Sequence, residues 1–219
     1  MGKLDTYPVV AFDLDGTLLR GTTVSLLLAQ WLGQAEEIAE LERAFRAHEI
    51  SNRAIADRSA GWLAGQSTTV AWAILTDGVW IDGMQETFRT LRAAGVSLLL
   101  GTVTWRFVAE ILRERYGFAA ASGTEMQVTN GVLSGRVTRY FDAHDKVRFV
   151  EEWCARNGYT MSQVAAVGDS RSDVPLFERA GMSIALNATP DARAVATHVL
   201  DTDNLCDVLA LIRSVEEVL

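Results

Sequence analysis

Two aspartates, Asp13 and Asp15, stand on either side of a leucine directly after the short apolar run at residues 9–12. The apolar run predicts a buried strand, and carboxylates at the end of a buried strand are costly to keep without a function. A purely structural role is therefore a poor explanation of the pair. Carboxylate oxygens are the usual ligands of hard cations such as Mg²⁺, so the pair predicts a cation site.

Other polar side chains follow two further apolar runs. Thr102 and Thr104 come after residues 96–100, and Asp169 comes after residues 164–167. Ligands of open parallel sheets bind beyond the carboxyl ends of the strands, so these side chains should meet the two aspartates there. The carboxylates of Asp13, Asp15 and Asp169 would repel one another at this edge unless a cation lay among them. The threonine hydroxyls suit phosphate oxygens, which Mg²⁺ binds together with one or two carboxylates.

Asp173 and Lys146 carry charges that the residues alone do not assign. Asp173 lies four residues after Asp169, where a helix is predicted to start, and capping of that helix explains it about equally well. Lys146 by itself is most simply a solvated charge on a helix. Thr102 by itself is more often a turn residue than a ligand.

The elements that must position these residues alternate along the chain. Predicted strands fall at residues 9–12, 96–100, 164–167, 182–186 and 198–200. Predicted helices fall at residues 84–94, 105–116, 143–157, 172–180 and 190–197, and from 204 onward. Asn130-Gly131 between β-formers predicts a hairpin. Strands that alternate with helices predict an α/β fold with a Rossmann-like parallel sheet covered on both faces.

A helical block interrupts this alternation between the first and second strands. From residue 22 to about 75 the chain is rich in Ala, Leu, Glu and Arg, and Ile38, Leu41 and Phe45 recur at helical spacing. We expect roughly four helices that form an inserted cap at 21–79, and a core domain at 1–20 and 80–219. Most tryptophans of this block should fill its core, with one or two facing the site as the alternative. They are Trp31, Trp62, Trp72 and Trp80.

Composition excludes several classes of protein. The 219 residues carry a net charge of −8, which argues against nucleic acid as a partner. No apolar stretch approaches the ~20 residues that a membrane span needs, and the first residues do not resemble a signal peptide. Cys154 and Cys206 have neither metal-ligand spacing nor a disulfide framework, so we expect a cytoplasmic location. The oligomeric state is not predicted.

The full set of motifs resembles the haloacid dehalogenase superfamily of aspartate-dependent phosphohydrolases. Its first motif corresponds to residues 12–17, its second to Thr102, its third to Lys146 and its fourth to residues 167–173. The order and spacing fit along almost the entire chain. The insertion between the first two motifs, and the hairpin at residues 128–132, are similar to the phosphoserine-phosphatase-like subfamily.

This resemblance implies a role for each motif residue. Asp13 would be the nucleophile that forms an aspartyl-phosphate, and Asp15 the general acid and then the general base. Mg²⁺ would be the cofactor, held by the Asp13 carboxylate, the Asp15 backbone carbonyl and Asp169.

The resemblance also assigns the phosphate contacts. Thr102, Val103 and Lys146 would bind the phosphoryl oxygens. Asp173 would bind a metal-bound water or orient Lys146.

The sequence departs from this subfamily where the leaving group should bind. In phosphoserine phosphatases an acidic residue binds the substrate ammonium, and this sequence has Thr22 at that position. The arginine of the cap that binds the serine carboxylate in those enzymes corresponds to a position near Ser59, next to Arg58. Arg106 and Arg171 flank the site, where a contact with substrate and a solvated surface charge explain them about equally well. We therefore expect phosphoserine to be a poor substrate.

The predicted activity is Mg²⁺-dependent hydrolysis of a small organic phosphate ester by a phosphomonoesterase. Three alternatives are phosphoserine phosphatase proper, a phosphotransferase that uses an alcohol acceptor, and a catalytically silent binding protein. The complete set of motifs argues against the last of these.

Overall fold

The computed structural model describes residues 7–69, 71 and 75–212. Its strands are β1 (Val9–Phe12), β2 (Leu19–Arg20), β3 (Val79–Trp80), β4 (Ser97–Trp105), β5 (Ala120–Thr129), β6 (Val132–Arg139), β7 (Val164–Gly168), β8 (Met182–Leu186) and β9 (His198–Leu200). Seven of them form one sheet in the order β6-β5-β4-β1-β7-β8-β9. Every neighbouring pair in this sheet is parallel except β5 and β6. The predicted α/β fold with a parallel sheet is confirmed.

The described helices are α1 (Val24–Trp31), α2 (Ala35–Arg46), α3 (Asn52–Leu63), α4 (Met84–Ala93), α5 (Arg106–Tyr116), α6 (Ala143–Asn157), α7 (Val174–Phe177), α8 (Pro190–Val195) and α9 (Val208–Ile212). The central strands β1, β7 and β8 are buried along their whole length, because apolar side chains from both faces pack under helices. None of the described helices has both the length and the apolar character that a membrane span requires.

The helical insertion follows β2 and precedes β3, and these two short strands pair with each other in antiparallel fashion. Helices α1, α2 and α3 share a small apolar cluster centred on Ala29, Ile38 and Ile55. The predicted fourth helix falls on a segment in which residues 70 and 72–74, including Trp72, lie outside the described residues. The boundaries of the cap at 21–79 stay a prediction.

The tryptophans beside the insertion differ in their surroundings. Trp62 packs on the apolar cluster of the insertion, Trp80 packs on the main core, and Trp31 is exposed. We predicted most of these tryptophans in the core of the insertion, and of the three that the structure describes only Trp62 lies there. Trp31, on the short helix α1, is exposed instead.

The predicted hairpin at Asn130-Gly131 is present, and both residues have the positive φ angles that its tight turn requires. This hairpin contacts the insertion through three backbone hydrogen bonds of 2.8 Å, from Gly65 N to Leu133 O, from Leu133 N to Gln66 O and from Thr68 N to Gly131 O. The insertion is therefore fastened to the sheet through β6.

Four elements differ from the sequence prediction. Strand β4 extends to Trp105, past the predicted end at residue 100. Strand β5 begins at Ala120, where no strand was predicted. The β4–β5 register shifts between Gly101 and Trp105, so this part of β4 bulges instead of ending. Helix α7 is limited to four residues, and α9 begins only after a short 3₁₀ turn.

Candidate active site

The ammonium of Lys146 lies at the centre of the candidate site. Its Nζ donates to Asp13 Oδ1 at 2.5 Å, to Asp173 Oδ1 at 2.7 Å and to Ser172 Oγ at 3.0 Å. Lys146 is 1% exposed, so the alternative of a solvated helix charge is wrong. Burial alone would lower the pKa of Lys146, but the carboxylates of Asp13 and Asp173 raise it above its ordinary value.

The start of α6 explains how Lys146 reaches this position. The Asp142 carboxylate accepts from the N–H groups of His144 and Asp145, and the Asp145 carboxylate accepts from the N–H of Asp142. This capping box fixes the first turn of α6. Lys146 follows directly on the face that packs against the sheet.

Asp173 organises the loop after β7. Its Oδ2 accepts from the N–H groups of Asp169 and Ser170, both at 3.1 Å, while its Oδ1 accepts from Lys146. Asp173 makes no side-chain capping bond to α7, so the structure favours the positioning of Lys146 over helix capping. A Cβ at Gly168 would lie 2.3 Å from Cγ of Asp173, which explains why only glycine fits before the loop.

Asp13, Asp169 and Asp173 each offer a carboxylate oxygen within 4.8 Å of the others. Burial, and then the charge of Asp173, raise the pKa of Asp13 to about 6. Burial, and then the charge of Asp13, raise the pKa of Asp169 well above its ordinary range. Buried carboxylates repel one another, and a cation among them would offset this repulsion. Their oxygens form a donor set that fits a hard divalent cation.

The loop after β1 brings its backbone against this acidic cluster. Gly16 has a φ of 87°, and a Cβ there would lie 2.2 Å from Oδ2 of Asp169. The hydroxyl of Thr17 donates to Oδ1 of Asp169 at 3.3 Å. Glycine at position 16 therefore permits the close approach between the ends of β1 and β7.

The side chain of Asp15 is bound to the start of α1. Its Oδ1 accepts from the N–H of Val24, the first residue of α1, at 2.8 Å. Burial raises the pKa of Asp15 well above its ordinary value, and the Val24 N–H only partly offsets this rise. A raised pKa favours the protonated carboxyl group, and the backbone carbonyl of Asp15 stays its predicted ligand atom.

The bulge in β4 carries Thr102, Val103 and Thr104. The N–H of Thr104 donates to Thr102 Oγ1 at 3.2 Å, and the carbonyl of Val103 accepts from Thr124 Oγ1 at 3.0 Å. Among the described residues, the hydroxyl of Thr104 is the one buried side-chain polar group without a partner. An unpartnered buried hydroxyl is costly, so a polar ligand is expected nearby.

A cavity of about 430 Å³ lies between this site and the helical insertion. Asp13, Asp15, Thr102, Val103 and Asp169 line it from the side of the sheet. The insertion contributes further polar and aromatic lining residues, among them Thr22, Glu42, Phe45, Arg46 and Asn52. The structure therefore brings the predicted residues Thr22, Thr102 and Val103 to one cavity with the aspartates.

Sequence reasoning missed Glu42. Its carboxylate accepts from the Thr23 hydroxyl and lies 3.6 Å from NH1 of Arg46. Burial raises the pKa of Glu42. In the sequence Glu42 stands among Glu36, Glu37 and Glu40, and no local signal separates it from a solvated helix face.

The three arginines considered as substrate contacts do not line the cavity. The guanidinium of Arg171 lies 3.9 Å from the centre of the Phe45 ring and donates to Ile50 O at 3.3 Å. Arg106 pairs with Glu110 and Glu125, and Arg58 pairs with Glu37. Arg171 therefore connects the loop after β7 to the insertion, since both Phe45 and Ile50 belong to the insertion.

Comparison with known proteins adds a family match. The model of the haloacid dehalogenase-like hydrolases matches residues 10–178. The phosphoserine phosphatase of Archaeoglobus fulgidus is 31% identical over 94% of this chain and 60% of its own length. The phosphoserine phosphatase SerB2 of Mycobacterium tuberculosis is 30% identical over 94% of this chain and 51% of its own length. The chain thus spans only about half to three fifths of these two relatives.

Solved structures show the same fold. A haloacid dehalogenase family hydrolase from Salmonella enterica serovar Typhi has a TM-score of 0.87 and 22% identity, covering 98% of this chain and 74% of its own. A phospho-aspartyl intermediate analogue of phosphoserine phosphatase has a TM-score of 0.81 and 20% identity, covering 93% and 98%. At these identities the likeness concerns the fold alone.

Proposed function

The chain belongs to the haloacid dehalogenase-like hydrolases, and on that premise we propose that it is a Mg²⁺-dependent phosphomonoesterase for a small organic phosphate. One observation carries the proposal: a buried lysine binds Asp13 at the floor of the cavity. The relatives named phosphoserine phosphatase support phosphate-ester chemistry.

In the first step an oxygen of Asp13 attacks phosphorus. The new Oδ–P bond forms while the bond between phosphorus and the leaving oxygen breaks, and Asp15 gives its proton to that oxygen. Burial raises the pKa of Asp15, which favours the protonated form that a general acid needs. Lys146 favours the ionised form of Asp13, because its ammonium pairs with Oδ1.

In the second step Asp15, now ionised, takes a proton from water. The water oxygen attacks phosphorus, the Oδ–P bond breaks, and inorganic phosphate leaves with Asp13 restored. Thr102, Val103 and Lys146 supply donors for the phosphoryl oxygens, whose charge increases in the transition state.

We assign the metal to the carboxylates of Asp13 and Asp169 and to the backbone carbonyl of Asp15. When bound, Mg²⁺ supplies charge stabilisation for the phosphoryl oxygens. Asp173 already accepts from Lys146 and from two backbone N–H groups, so we place it beside the metal site as a positioning residue.

Two further parts of the proposal concern the whole molecule. The insertion at 21–79 acts as a cap that closes the cavity over the substrate. The protein works in the cytoplasm, because both Cys154 and Cys206 are free thiols.

The proposal is tested by phosphate release from a broad panel of phosphorylated metabolites, with Mg²⁺ and with Asp13→Asn as the matched control. Hydrolysis of at least one small phosphate ester by the wild type alone is expected. Equal release by both proteins, or by neither, would contradict the proposal. A second series with an added alcohol separates hydrolysis from phosphoryl transfer.

A further inference from the structure

One side chain of the cap contacts the bulge of β4 that carries Thr102. Asn52, the first residue of α3, donates from Nδ2 to the Val103 carbonyl at 2.8 Å and more weakly to the Phe141 carbonyl at 3.4 Å. Both partners are carbonyl oxygens, so the amide nitrogen must face them. Asn52 therefore joins the cap to the bulge of β4 at the edge of the cavity.

The Val103 carbonyl is held from two directions. Asn52 binds it from the cap, and the Thr124 hydroxyl binds it from β5 at 3.0 Å. The peptide unit is planar and trans, so a fixed carbonyl also fixes the N–H of the next residue on the opposite side. That N–H belongs to Thr104, and it donates to Thr102 Oγ1 at 3.2 Å.

This chain of contacts decides where the hydroxyl proton of Thr102 points. The oxygen already accepts the Thr104 N–H, so the hydroxyl proton must lie in another direction. Within the described part of the chain, no acceptor is found for this proton. Thr102 is fully buried from water yet lines the cavity beside Asp13, so the proton is left for a phosphoryl oxygen.

We propose that Asn52 is a positioning residue, which aims the Thr102 hydroxyl at the phosphoryl group through the Val103–Thr104 peptide when the cap is closed. The inference rests on the proposed phosphatase activity. Asn52 itself touches neither phosphorus nor the leaving oxygen. Its effect is to make the phosphate-binding donor depend on the position of the cap.

A purely structural role for Asn52, holding the cap in place, makes a different prediction. Arg53 supplies the matched control, because it lies on the same turn of α3. Its guanidinium lies 4.0 Å from the centre of the Tyr140 ring, so it also joins the cap to the core. Arg53 is not among the residues that line the cavity.

The test is a double-mutant cycle on kcat for p-nitrophenyl phosphate with Mg²⁺. Asn52→Ala is expected to lower kcat on the order of 10-fold. In a Thr102→Val background, the same substitution should lower kcat by less than about 2-fold, because the hydroxyl that it aims is gone. Asn52→Leu keeps nearly the same size, cannot donate and adds no charge to the cavity, so it should behave like Asn52→Ala.

Arg53→Ala provides the comparison, since it should change kcat by the same factor in the wild-type and in the Thr102→Val background. Thermal unfolding identifies any variant that fails to fold, and Asn52→Leu then replaces Asn52→Ala. Equal effects of the Asn52 substitutions in both backgrounds, in an active enzyme, would overturn this inference alone. A wild type that hydrolyses no phosphate ester would overturn the proposed function as well.

Discussion

The Nζ atom of Lys146 lies 2.5 Å from Oδ1 of Asp13, although 133 positions separate the two residues in the chain. Both are buried, and a buried charge is tolerated only with a partner of opposite sign. The pair ties the start of α6 to the end of β1, and Asp173 completes it from the loop after β7. Removal of Lys146 would leave two buried carboxylates without their cation.

Asp13→Asn is expected to abolish activity and to leave the fold intact. The amide oxygen of asparagine can still accept from Lys146, but the group is no longer a nucleophile. Loss of a covalent nucleophile costs on the order of 10⁴-fold or more in kcat. Phosphate release and thermal unfolding measure the two effects, with exposed Asp77→Asn as the control. Wild-type rates in Asp13→Asn would mean that another residue attacks.

Asp15→Asn is expected to damage catalysis without loss of metal binding. Its side chain faces Val24, and only its backbone carbonyl is assigned to the metal. General acid–base catalysis contributes about 10²–10⁴-fold, so the loss should be smallest for a leaving group that needs no proton. Rates on an activated aryl phosphate and on an alkyl phosphate make the comparison. Equal fractional losses on the two substrates would argue against the acid role.

The stability of the metal-free protein should fall as the pH rises between about 4 and about 6. Burial raises the pKa of Asp13 to about 6, whereas its value in the unfolded chain is about 4. The folded state therefore binds more protons than the unfolded state in this window, and each ionisation destabilises it. Asp15 and Asp169 act in the same direction, since burial also raises their pKa values.

The same shifts predict how Mg²⁺ changes the melting temperature. Asp13, with a pKa of about 6, is ionised at pH 8, so Mg²⁺ should raise the Tm there by roughly 5 °C or more. At pH 5 bound protons compete with the cation, and the rise should be small. Thermal unfolding with EDTA and with Mg²⁺ at both pH values tests this. A larger rise at pH 5 than at pH 8 would contradict the assigned electrostatics.

L-Phosphoserine is expected to be a poor substrate. Thr22 offers no charge to the substrate ammonium, and Glu42 is the carboxylate that the cap brings to the cavity instead. The serine carboxylate would need a cation, but Arg46 is already paired with Glu42 and its side chain is 64% exposed. Arg58 does not line the cavity.

An unpaired buried charge costs enough to lower kcat/KM by about 30-fold or more. Kinetics on phosphoserine beside phosphorylated sugars and alcohols make the comparison. Preference for phosphoserine would show that Arg46 leaves Glu42 to meet the substrate, and Arg46→Gln should then remove that preference.

The parts of the fold that sequence could predict are those in which local pattern and burial agree. Asp13, Thr102 and Asp169 each follow an apolar run, and parallel strands bring the ends of those runs to one edge of the sheet. The position of Lys146 in the site was predicted only from the family's third motif, because the pattern of its helix alone indicates a solvated charge. The beginning of β5 was missed, because Ala119-Ala120-Ala121-Ser122-Gly123 has few β-formers and is held in the sheet by β4.

The cap side of the cavity could not be predicted for a different reason. Glu42 and Asn52 lie on helices whose polar faces look solvated in sequence, and only the docking of the insertion turns them toward the site. Arg171 was expected beside the substrate because of its place in the fourth motif. Its contacts with Phe45 and Ile50 depend on the cap, which local sequence does not report.

The most direct test of the central claim is the initial rate of phosphate release from p-nitrophenyl phosphate, measured first with Mg²⁺ and then with excess EDTA. The acidic cluster around Asp13 and Asp169 predicts turnover with Mg²⁺, loss of turnover in EDTA and recovery when Mg²⁺ is restored. Full turnover in excess EDTA would contradict the metal-dependent mechanism, and absence of turnover in Mg²⁺ on this and every other phosphate ester would contradict the phosphatase itself.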